Sequence, residues 1–72
     1  MQNINPDLYR ITTREQQIIR LVVDEFNSKE IASQLYISTE TVNSHRKNIR
    51  RKLGVKNVAG VVRVAFQLQM VS

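Results

Sequence analysis

Apolar positions along this chain fall into four clusters separated by polar residues suited to helix ends. Ile18, Ile19, Leu21, Val22 and Val23 form the first, and Ile31, Ala32 and Leu35 the second. Val42, Ile49 and Leu53 form the third, and Val61, Val62, Val64, Ala65, Phe66, Leu68 and Met70 the fourth. Spacings of three and four residues recur and no strand pattern competes, so the chain is predicted to be all helical. The helix starts are marked. Thr12 and Glu15 are spaced for a capping box, in which each side chain accepts the other's backbone N–H, and a first helix is predicted from there toward Asp24 or Glu25. Asn27 and Glu30 repeat the spacing, with Phe26 and Ile31 placed as a hydrophobic staple across the second start. Ser38 is a third N-cap, with Ile37 and Val42 as its staple. It opens a helix that runs to Leu53 and stops at Gly54, a residue that tolerates a left-handed turn. A fourth helix is predicted from an N-cap at Asn57 to about Gln69.

Only Tyr36 and Ile37 separate the second helix from the Ser38 cap, so the two helices must meet at a sharp angle. That spacing is the mark of a helix-turn-helix, with Ala32 small where the next helix approaches and Ile31, Leu35, Ile37 and Val42 as apolar pegs. At about 100° per residue, Val42, Ile49 and Leu53 fall together and turn inward. Glu40, Asn43, Ser44, Lys47 and Arg51 are left on the opposite face, flanked by Arg46, Arg50 and Lys52. A helix of about 22 Å, polar in its first turns and basic along its length, fits the major groove of B-DNA.

Charge distribution adds more than the net value of +5. All six acids lie at or before Glu40, whereas Thr41 to Ser72 carries seven Lys or Arg and no acid. Such a polarised chain attracts phosphate. A membrane surface would attract it too, but the apolar residues of the basic helix form a narrow inward stripe, leaving nothing to insert into lipid. No run approaches a membrane span, and Met1 to Arg10 is polar and holds Pro6, unlike a signal peptide, so the expected compartment is the cytoplasm. The chain has no cysteine and a single His45, so no metal, cofactor or small-molecule ligand is expected. Neither a carboxylate pair, nor a nucleophile with its base, nor a glycine-rich phosphate loop suggests an enzyme.

Seventy-two residues make one domain, and at this size only about 60% of the unfolded chain's surface is buried on folding. Residues 1–10 read as an N-terminal arm or linker whose Ile4, Leu8 and Tyr9 are apolar enough to lie against the domain, which spans residues 11–72. The fourth helix carries apolar residues over more than half its circumference, more than one core needs. A twofold-symmetric dimer through Val61, Val64, Ala65 and Leu68 is the expected use of the excess; a deeply buried helix partly covered by the arm is the alternative.

Leu35-Tyr36-Ile37-Ser38, Thr41-Val42, His45, Ile49 and Lys52-Leu53-Gly54-Val55, preceded by Thr13-Arg14-Glu15 and Lys29-Glu30-Ile31-Ala32, carry a resemblance. Together they resemble the LuxR-type (GerE- or FixJ-type) DNA-binding domain of bacterial transcription regulators, over about Ile11 to Met70. The resemblance implies a four-helix domain with its recognition helix third and its dimerisation helix fourth. By position it places base contacts on Asn43, Ser44 and Lys47, and phosphate contacts on Lys29, Thr39, Thr41, Arg46 and Arg50, with Arg51 added on the same basic face. His45, at the edge of the basic face, is expected in a structural or phosphate role, with a base contact as the alternative. Gly60 stands where the family often has an acid, removing the capping partner of Asn57, and Glu40 is placed either to complement the start of its own helix or to accept from a cytosine amino group. The expected partners are double-stranded DNA and a second copy of the chain, on an inverted repeat, with RNA polymerase as a further partner. Two other functions fit less well: a domain like region 4 of sigma factors, against which the valine-rich last helix argues, and a module docking its basic helix on an acidic protein.

Overall fold

The structure, a computed structural model, describes residues 10–71, and Ile4, Leu8, Tyr9 and Ser72 lie outside it. Four helices follow one another: α1 (Thr13–Val23), α2 (Ser28–Leu35), α3 (Thr39–Leu53) and α4 (Val58–Gln67). Each starts at its predicted cap. Thr12 and Glu15 form a reciprocal box, at 3.0 Å from the Glu15 amide to the Thr12 hydroxyl and 2.9 Å from the Thr12 amide to the Glu15 carboxylate. Asn27 and Glu30 do the same, at 2.8 Å in both directions. Ser38 accepts the Thr41 amide at 3.0 Å, and Asn57 accepts the Gly60 amide at 3.0 Å.

All four helices end alike. Glu25, Tyr36, Gly54 and Gln69 have φ between 57° and 69°, in the left-handed region. After each, the next amide reaches back five residues: Phe26 to Leu21, Ile37 to Ala32, Val55 to Arg50 and Met70 to Ala65. These bonds satisfy carbonyls that the helix leaves unpaired. Only one of the four left-handed residues is glycine, and α4 stops at Gln67, two residues before the predicted end.

The third helix is the hub, packing against α1, α2 and α4, while α1 also packs on α4. Ile18, Ile19, Ile31, Val42 and Ile49 are fully buried where these elements converge. Val22, Ala32, Leu53, Val61 and Ala65 complete the core. Gly60 has a packing reason that the cap pattern does not disclose. A Cβ built there would lie 2.6 Å from the Cβ of Val55, so the first turn of α4 crosses the start of the α3–α4 connection at a distance only glycine allows.

The expected dimer face needs correcting. Val61 and Ala65 turn inward to α1 and α3 and are buried in the chain's own core, and half-buried Val64 packs against it. Leu68, at the C-cap of α4, is about half exposed and stays available for such a contact. The apolar surface that α4 leaves in solvent centres on Val58 and Phe66, each about half exposed, with half-buried Val62 between them at four-residue spacing although it also touches the core.

Candidate nucleic-acid interface

Three buried side chains orient α3. Val42, Ile49 and Leu53 anchor one side of the helix in the core. A helix so pinned must present the residues about half a turn away, and Glu40, Asn43, Ser44, Lys47 and Arg51 are indeed exposed together. Asn48 shares this surface one turn beyond Ser44 and was not singled out from the sequence. The same four-residue spacing would have found it. The turn ahead of the face is rigid: Ser38 Oγ lies 2.8 Å from Thr41 Oγ1 while accepting the Thr41 amide, so the first turn is held by side chain and backbone together.

The cations divide into groups with different surroundings. Lys47 is exposed, as are Arg51 and, on α2, Lys29. Arg46 and Arg50 are half-buried, one turn apart on the flank of α3 that faces α1 and α4. Arg46 lines an open groove of about 840 Å³ whose walls include Val22, Phe26, Asn43, Val58 and Val62. Burial, then the neighbouring Arg50, pushes the Arg46 guanidinium below its ordinary pKa, though an arginine remains charged at neutral pH. Neither forms an ion pair among the described residues. Two like charges held together against an apolar wall favour the approach of an anion.

Lys52 behaves otherwise. Its ammonium donates to both carboxylate oxygens of Glu15, at 2.8 and 3.0 Å, and to the Arg10 carbonyl at 2.9 Å. Glu15 is only 3% exposed. Burial opposes its ionisation, but the bonds from Lys52 and the Thr12 amide outweigh that and hold its carboxyl below the usual value. Thr39 and Thr41 are exposed at the start of α3 and His45 is half-buried. Glu40 stands in the first turn of α3, where its charge complements the helix dipole. Among the described residues, no helix is long and apolar enough to cross a membrane.

A short helix, a three-residue turn and a second helix pinned by its apolar side with a polar, basic face outward define a helix-turn-helix DNA-binding domain. The model of a family described as bacterial regulatory proteins, luxR family, matches residues 10–65, and the chain belongs to that family, which is one of regulators and not of enzymes. The transcriptional regulatory protein MctR of Rhizobium johnstonii is 42% identical over 62 residues, covering 86% of this chain and 29% of MctR. The spore germination protein GerE of Bacillus subtilis is 48% identical over 46 residues, 64% of this chain and 62% of GerE. The chain thus spans less than two thirds of either relative. Among solved structures, the transcription factor GerE superposes with a TM-score of 0.80 at 36% identity, over 85% of this chain and 91% of that one. The response regulator ChrA of a heme-sensing two-component system superposes with a TM-score of 0.81 at 30% identity, over 85% of this chain and 30% of ChrA.

Proposed function

We propose that the chain binds double-stranded DNA sequence-specifically with α3 in the major groove, as a bacterial transcription regulator or the output domain of a longer one. Residues 11–72 form the binding domain, preceded by an arm over residues 1–10. Asn43, Ser44 and Lys47 meet base edges, while Lys29, Thr39, Thr41, Arg46, Arg50 and Arg51 hold phosphates. The observation that carries this assignment is the burial of Val42, Ile49 and Leu53, which leaves Asn43, Ser44, Lys47 and Arg51 in solvent on one helix face. Arg46 and Arg50, without an ion pair among the described residues, support the phosphate contacts. The protein acts as a homodimer on an inverted repeat, joined through the exposed stripe of α4, in the cytoplasm where bacterial chromosomal DNA lies. RNA polymerase is a further partner on the promoter.

Selection of duplexes from a random pool, followed by titration of the selected and a scrambled duplex at several salt concentrations, tests the proposal. The selected duplex is expected to bind at least about a thousandfold more tightly. Equal affinity for the two, with steep salt dependence, would reduce the chain to an electrostatic binder and favour an acidic protein partner instead.

A further inference from the structure

Lys52 lies on the basic helix, yet its charge is directed into the molecule. Its ammonium, with three N–H donors, meets the two oxygens of Glu15 and the Arg10 carbonyl among the described residues. The same Glu15 oxygen that receives Lys52 at 2.8 Å also accepts the Thr12 amide at 2.9 Å. One carboxylate therefore belongs at once to the first turn of α1 and to the last turn of α3. Through the Arg10 carbonyl, the point where the arm enters the domain is tied to the same ammonium.

Resting on the DNA-binding role of α3, we infer that Glu15 and Lys52 are positioning residues for base recognition. They fix the tilt of α3 against α1. Asn43 lies nine residues from Lys52, about 14 Å along the axis, so releasing the far end by about 5° moves Asn43 by about 1 Å. Directional polar contacts tolerate about half that displacement. Phosphate contacts by long, flexible cations tolerate more, so a loosened clasp lowers discrimination between sequences before it lowers affinity for DNA in general.

The test is the double variant Glu15→Gln with Lys52→Met. Gln still serves a capping box, Met keeps the apolar stem, and no buried charge is left unpaired. Circular dichroism confirms folding, and both variant and parent are titrated on the parent's selected duplex and a scrambled one at several salt concentrations. The expected result is a roughly tenfold loss of affinity for the selected duplex, with scrambled-duplex affinity and salt slope as in the parent. Glu15→Gln alone, which keeps a neutral acceptor for Lys52, should lose less in the same direction and decides the matter if the double variant does not fold. An unchanged preference in the folded variants would reduce the pair to a stabilising contact, and a salt slope smaller by about 0.9 would make Lys52 a phosphate contact. Either overturns the inference. A parent that prefers no duplex would sink the DNA-binding proposal itself.

Discussion

Lys47 and Arg50 lie three residues apart on α3 but meet different surroundings, and their replacement should be read out differently. Lys47 is exposed on the outward face of α3, where in the proposed complex its ammonium would reach guanine acceptors. Lys47→Ala is expected to cost about 1 to 3 kcal/mol on the selected duplex and to relax base preference. Arg50→Ala should instead lower affinity for all duplexes alike and reduce the salt slope by about one unit. Titrations at several salt concentrations separate them, and identical profiles would refute both assignments. Tyr36 offers a residue-scale test of stability. It is 94% exposed and sits at φ 58°, so its side chain contributes little packing while its backbone is held in a conformation unfavourable to any residue with a Cβ. Tyr36→Gly should raise stability by up to about 1 kcal/mol in urea unfolding; a loss would mean that the ring makes contacts beyond those of the described residues. Glu15 gives the domain a pH dependence. Its carboxyl is held below the ordinary value in the fold, so the unfolded chain binds the proton first. The stabilisation is present above the unfolded value of about 4.3 and fades as pH falls through the lower folded value. Parent and Glu15→Gln stabilities should therefore approach each other in unfolding experiments as pH falls below the ordinary carboxylate range, and stay apart above it.

At the scale of helices, starts were legible and ends were not. An N-cap is chemistry between residues three apart, so Thr12 with Glu15 and Asn27 with Glu30 announce themselves in the sequence and recur as bonds of 2.8 to 3.0 Å. A C-terminal turn carries a local signal only when glycine occupies the left-handed position. Gly54 does, but Glu25, Tyr36 and Gln69 adopt the same conformation because the chain must turn there to pack, and α4 accordingly ends earlier than its pattern suggests. Orientation follows the same rule. The outward face of α3 was legible because three apolar residues leave one inward side, whereas apolar residues around most of α4 let the sequence pick Val61 and Ala65 as surface when α1 and α3 bury them. The Glu15 to Lys52 bond spans 37 positions, and no local pattern reports it. Gly60 likewise reads as a missing acid until Val55 is seen against it. Gly60→Ala is expected to destabilise by about 1 to 3 kcal/mol, since a Cβ 2.6 Å from that of Val55 forces backbone to move. Val55→Ala should not rescue it, because the clash is with the Cβ that alanine keeps. Recovery in the double variant, measured by thermal unfolding, would place the strain in the Val55 methyls instead.

For the whole molecule, a polarised charge and an unburied apolar stripe point in one direction. The basic chain from Thr41 onward draws the domain to DNA without regard to sequence, and a single short recognition face limits how many bases one copy reads. Two copies joined by a twofold axis read twice as many. A stripe of Val58, Val62 and Phe66 suits that symmetry: when two α4 helices cross antiparallel with Val62 at the axis, Val58 of each meets Phe66 of the other. Third helices in successive major grooves would stand about 34 to 36 Å apart, which fixes the spacing of two half-sites. Val62→Asp places two carboxylates together at the axis and is the sharpest probe of this arrangement, with circular dichroism as the folding control because Val62, like Val64, is half-buried against the core. Gel shifts on one and two half-sites should show cooperative binding by the parent only on the paired site. In Val62→Asp the affinity for a single half-site should persist and the cooperativity vanish, with circular dichroism unchanged. Equal cooperativity in mutant and parent would remove α4 as the contact between copies, and the exposed stripe would then need a partner other than the chain itself.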